Sequence, residues 1–180
     1  MAILIFQDCS DRSEIEGLVF SDKAEVVMLG EELTNFNYST QSYIGTITIN
    51  NVVYNYNILY SRNVDNAGNI TQCTIFLSSI QPLGFCTSNG GALYNFPENS
   101  EIGTNTGYYP GNFPLFTYYN NSNTASNTVK FDIPCYLGFN IGGNSEFATY
   151  GWLKLLIEKN KITIVSYGYK TGHTIKAGEN

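Results

Sequence analysis

Charge is scarce in this chain. Asp, Glu, Lys and Arg make up only 13% of its 180 residues, about half the share usual in a soluble domain. Nine residues are basic, and they are scattered, whereas nucleic-acid binding needs clustered Lys and Arg to displace phosphate counterions. Nucleic acid is therefore not expected as a partner. The same shortage leaves no basic amphipathic face for a membrane surface. No run approaches the roughly 20 apolar residues of a membrane span. Histidine occurs once, as His173, and there is no Cys-x-x-Cys pair. A zinc site would lack its ligands, and no metal or other cofactor is expected. Strong helix formers are also few. One turn or two of helix at residues 10–16 is the only candidate, with Ser10 as cap and acids in its first turn.

What fills the space is Tyr (14), Phe (11), Gly (17) and Asn (22). Tyr, Phe, Thr, Val and Ile suit a half-buried pleated surface, and Asn and Gly suit the turns between strands. Short apolar runs alternate with such turns, which predicts strands over 2–7, 17–20, 24–29, 42–49, 52–60, 71–80, 83–86, 92–95, 114–119, 128–133, 135–141, 149–158, 161–169 and 173–177. Residues 63–69, 104–113 and 120–127 read as loops. With no repeat and no linker, residues 1–180 form a single domain. The expected fold is all-β, an antiparallel β-sandwich of jelly-roll-like type.

Two hairpins are well specified. Asn50-Asn51 separates two apolar runs, and Asn tolerates the positive φ that a two-residue turn requires. In the second hairpin, Lys159-Asn160 sets Glu158 opposite Lys161. That register gathers Leu153, Leu155, Ile157, Ile162 and Ile164 on a core face. It places Trp152 opposite Tyr167 on the other face.

Four cysteines, Cys9, Cys73, Cys86 and Cys135, allow two disulfides in an oxidising compartment. Cys73–Cys86 is the favoured local bridge and Cys9–Cys135 the remainder. Buried free thiols are the alternative. The first 16 residues combine an apolar start with an acidic continuation, and residues 1–32 hold eight acids against Arg12 and Lys23. Ile3, Leu4, Ile5 and Phe6 would form an ordinary first strand, a strand lent to a neighbouring copy, or the stub of a trimmed leader.

An ordered series closes the chain: Tyr136-Leu137-Gly138-Phe139, Tyr150-Gly151-Trp152, Tyr167-Gly168-Tyr169, then Ile175-Lys176-Ala177-Gly178. Over residues 93–178 it resembles the C-terminal half of secreted bacterial β-sandwich domains that often precede a surface-sorting or anchoring segment. Gly168 stands where that group usually has Ala. The resemblance implies an extracellular or cell-surface protein and supplies no catalytic residues. Members often carry an Asp-rich, calcium-like loop, of which residues 63–69 with the single carboxylate Asp65 are a thin counterpart.

Catalysis finds little to work with. Ser–His–Asp chemistry would depend on His173 beside Gly172. The later acids are dispersed, without the paired carboxylates a glycosidase uses. Carbohydrate binding is the sharper alternative, because aromatic faces stack on sugars while amides and hydroxyls read their oxygens. Trp152, Tyr167, Tyr108 and Tyr109, with Tyr118 and Tyr119, supply such groups. The reading that absorbs most of the sequence is a non-catalytic structural or adhesive module. It would associate with copies of itself into a homo-oligomer, filament or other surface assembly.

Overall fold

The structure, a computed structural model, describes residues 23–34, 41–88, 91–104, 107–119, 122–127, 129–130, 132–143, 145, 147–158 and 161–180. The expected strands at 2–7 and 17–20 and the helical turn at 10–16 lie outside these residues. The chain is all-β. Its strands are β1 (Glu25–Thr34), β2 (Gln41–Ile49), β3 (Val52–Val64), β4 (Ile70–Ser79), β5 (Leu83–Cys86), β6 (Asn95–Phe96) and β7 (Glu101–Ile102). They continue as β8 (Tyr108–Tyr109), β9 (Gly111–Tyr119), β10 (Ser122–Asn127), β11 (Cys135–Ile141), β12 (Thr149–Glu158), β13 (Lys161–Thr171) and β14 (Ile175–Lys176).

Two antiparallel sheets pack face to face. One follows the order β1-β13-β12-β11-β5-β8, with β6 also paired to β11, and the other runs β10-β9-β4-β3-β2. Within the sheets the chain meanders, β2–β3–β4 in one and β11–β12–β13 in the other. It crosses between sheets at β1–β2, β4–β5, β8–β9 and β10–β11. The jelly-roll character is thus confined to those crossings.

Residues 120–127, expected as a loop, contain β10. Among residues 128–133, expected as a strand, the described ones lie outside any strand. Asn-, Ser- and Thr-rich β10 has no apolar alternation, so nothing in its pattern marks a strand. It pairs with β9 irregularly, since the register shifts between Ser122 and Ser126.

The alternating face expected for the last hairpin is the centre of the core. Leu153, Leu155, Ile157, Ile162 and Ile164 are wholly buried against Ile47, Ile58 and Leu77 of the facing sheet. Glu158 pairs with Lys161 across the ladder, at 2.9 Å. The other turn is also as expected, with Asn50 and Asn51 both at positive φ, 49° and 64°.

One feature of this hairpin overturns the expected placement of its aromatics. The register shifts between Lys154 and Leu155, so that Leu155 meets Ile164 while Lys154 meets Ser166, and Val165 is left over as a bulge. One extra residue exchanges the faces of everything beyond it. Trp152 therefore faces Gly168, and Tyr167 faces Leu153 on the core side.

Outside the seven-stranded sheet lies a second, smaller core. The β7–β14 ribbon and the segment around Phe96 cover Trp152, Tyr136 and Tyr150, with Ile102, Ile175 and Ala177 packed against them. Trp152 meets Tyr136 edge-on with ring centres 5.6 Å apart. Its indole lies directly over Gly168, where a Cβ would come within 2.5 Å of Cζ2. Gly168 is thus required by the ring above it.

Two substitutions probe these layers. Leu155→Ala should cost about 2–5 kcal/mol through lost burial and a residual cavity. Gly168→Ala should cost about 1–3 kcal/mol, because a ring boxed in by Tyr136 cannot easily yield. Urea denaturation measures both. A Gly168→Ala midpoint equal to wild type would show that Trp152 has room to move.

Candidate functional site

Trp152 and Tyr167 do not form the aromatic platform that a sugar would need. Trp152 and Tyr167 are each only 2% exposed and lie on opposite faces of the sheet. The Val165 bulge and the β7–β14 ribbon are the physical reasons. Tyr108 is half-buried and committed as well, donating its hydroxyl to the Gly103 carbonyl at 3.1 Å and leaning on Tyr150. Tyr109 alone of the four stands in solvent, 56% exposed, beside Phe113 at a shallow cleft. For Tyr118 and Tyr119 only the backbone position, at the end of β9, is described.

Asp65 also has a structural occupation. Its Oδ1 accepts from the backbone N–H groups of Ala67 and Asn69, and its Oδ2 accepts from the Asn69 side-chain amide at 3.0 Å. These bonds, the Asn69 amide foremost, hold its carboxyl below the usual range. The loop is an Asx-type turn that uses its own carboxylate. His173 is exposed in the bend before β14. No disulfide is formed among the described residues. Cys135 has a free, buried thiol, which corrects the expected Cys9–Cys135 bridge, and Cys9 itself lies outside the description. Cys86 is buried beneath the small outer core, while Cys73 sits in β4 of the opposite sheet with only its backbone described. The bridge expected between those two is absent as well.

The informative surface is a sheet edge. Arg62 is the only charged residue in all five strands of the smaller sheet. An edge strand exposes a row of unpaired N–H and C=O groups, and proteins blunt such edges with charge, bulges or brevity. Among the described residues, three of the four edges of the two large sheets are blunted. β8 has two residues. β10 is irregular. β1 carries Glu25, Glu31 and Glu32 and is broken by a register shift between Met28 and Glu31, with Gly30 at φ +65°.

β2 has none of these devices. It runs nine residues without charge or proline and pairs with β3 without any shift of register. The two-residue turn makes Ile49 and Val52 the closing hydrogen-bonded pair, so alternate residues from Thr48 backwards turn their backbone groups away from β3. The hydroxyl of Tyr167 confirms that phase. Reaching across from the other sheet, it accepts from the Thr48 N–H at 3.0 Å and donates to the Thr48 carbonyl at 3.1 Å. Beyond that clamp, Ser42, Ile44 and Thr46 have no further strand beside them among the described residues. Ile44, at the middle of the three, is 64% exposed.

The start of β1 lies close by. The Tyr169 hydroxyl donates to Glu25 Oε2 and also bonds the backbone of Asn50 in the β2–β3 turn. β1 therefore begins at one end of the open edge. The periodic strand pattern of 42–49 was readable from sequence, but its edge position was not, because strand order follows from long-range pairing. The absence of charge from 41 to 61 was the available signal.

Comparison with protein-family models, curated proteins and solved structures returns no match.

Two measurements check this geometry. Tyr167→Phe should cost about 1–3 kcal/mol, since it strips partners from two backbone groups at the sheet junction. Burial pushes the Cys135 thiol up to about 12, so native protein should leave it unmodified by a thiol reagent at pH 8, and unfolded protein should expose it. Rapid modification of Cys135 in the folded state would contradict its burial.

Proposed function

We propose that the protein is a non-catalytic structural or adhesive module of an extracellular or cell surface. In this reading it assembles with copies of itself by strand addition at β2. The observation that carries the reading is the regular, uncharged β2 edge in a fold whose other edges are blunted. In strand addition, main-chain hydrogen bonds give affinity and alternate side chains give register.

The strand added is the apolar segment Ile3, Leu4, Ile5 and Phe6 of a second copy. Leaving four such side chains in water forgoes roughly 1.5–3 kcal/mol each. The accessible part of β2 ends where Tyr167 occupies Thr48. The resemblance of residues 93–178 to secreted surface domains accords with the location, and the low charge accords with side-by-side packing. The carbohydrate alternative loses its support at Trp152 and Tyr167.

Ile44→Lys places a charge at the middle of the edge on an exposed position, so the fold should persist while assembly is lost. Deleting residues 1–8 should likewise give soluble monomers, which a peptide of those residues then binds. Sedimentation at several concentrations and circular dichroism read both outcomes. Deletion that unfolds the domain would instead make the segment an ordinary internal strand. Unchanged self-association by both variants would end the proposal.

A further inference from the structure

Away from the β2 edge, on the outer side of the larger sheet, β6, the residues before β11, and β12 enclose a cleft of about 440 Å³. That lies within the roughly 300–1,000 Å³ typical of small-ligand sites. Two lysines line it. Lys161 and Lys170 are each held by an acid. Lys130 and Lys154 have no acid partner among the described residues, and both line this cleft. Lys154 Nζ stands 5.1 Å from the centre of the Tyr136 ring, a contact that orients an ammonium without neutralising it.

The remaining walls are complementary in kind. Pro97, Pro134 and Ile133, the last 53% exposed, give apolar surface. Glu98 accepts the Tyr136 hydroxyl on Oε1 at 3.1 Å, leaving Oε2 for a donor from a ligand. Asn95 is spent inward, its Oδ1 accepting from the Tyr136 N–H at 3.1 Å.

We propose that this cleft binds an acidic saccharide, a sugar ring bearing a carboxylate. The carboxylate meets Lys130 and Lys154, a ring hydroxyl donates to Glu98, and the C–H face of the ring lies on the two prolines and Ile133. An acidic peptide would satisfy the lysines, but it brings no C–H face of a sugar ring to lie on Pro97, Ile133 and Pro134. The site is independent of the β2 edge, which belongs to the other sheet.

The test uses the full chain with oligomers of galacturonic and glucuronic acid, followed by NMR shift perturbation. Saturable binding is expected, weakened by salt and lost when the carboxylates are methyl-esterified. Lys130→Met and Lys154→Met keep the side-chain stems and should each weaken binding about tenfold or more, since each removes a charge-assisted contact. Their melting temperatures report folding independently. Equal binding of neutral oligosaccharides would overturn the proposal, as would wild-type affinity in both folded variants. So would polyaspartate binding in place of uronates, or no binding by folded protein at millimolar uronate.

Discussion

Val165 has no partner on β12, and the arrangement of the whole molecule depends on that one unpaired residue. Before it, β13 turns Ile162 and Ile164 into the sandwich. After it, Tyr167 and Tyr169 take the inward positions, and Gly168 turns outward. Without the bulge, the two tyrosines would point away from the facing sheet, and their hydroxyls could not reach Thr48 and Asn50. Trp152 would lose the glycine that gives its ring space, and the β7–β14 ribbon would have no aromatic floor to cover. Both cores and the junction between the sheets therefore share one register shift, and bulges of this kind are designed features of a strand rather than defects.

The two sheets have different chemistry because they meet different surroundings. The larger one is covered on both faces over much of its area, by the facing sheet and by the outer ribbon. Most of its charges sit at the margins, as Glu25, Glu31 and Glu32 on β1 and Glu158, Lys161 and Lys170 on β12 and β13, while Lys154 stands on the outer face of β12. Glu31 even falls opposite the core residue Ile164 in the register. An inward acid at an edge is a strong guard, since a strand added there would have to bury it. Burial first, and then this carboxylate, raise the Tyr56 hydroxyl above its usual range. The smaller sheet lacks such guards, and its open edge is a property of composition as much as of topology.

Sequence patterning revealed what local periodicity controls. The strands 42–49 and 83–86, the Asn50-Asn51 turn, the Glu158–Lys161 pairing and the buried leucines of β12 all follow from alternation and turn chemistry over a few residues. Three things escaped that logic. β10 has no apolar alternation to betray it. Strand order, and hence the identity of the edges, depends on partners far away in sequence. The Val165 bulge hid because two consistent patterns meet there. Apolar residues fall on even numbers at Ile162 and Ile164, then aromatics fall on odd numbers at Tyr167 and Tyr169, with small Ser166 and Gly168 between them. That change of parity marks a bulge, and it outweighs a register extrapolated from the turn.

The Tyr167 clamp also bears on how an open edge can be used in a controlled way. A flat, polar strand specifies pairing register weakly, because sliding a partner along it changes few contacts. Here sliding is limited at one end, since the hydroxyl already occupies both outward groups of Thr48. The backbone groups left to an incoming strand are those of Ser42, Ile44 and Thr46, and Ile44 alone among them offers a large apolar side chain. An uncharged edge closed at Thr48 in this way fixes where one end of an added strand must stop. The contact that joins the two sheets therefore also sets one limit on any strand added at this edge.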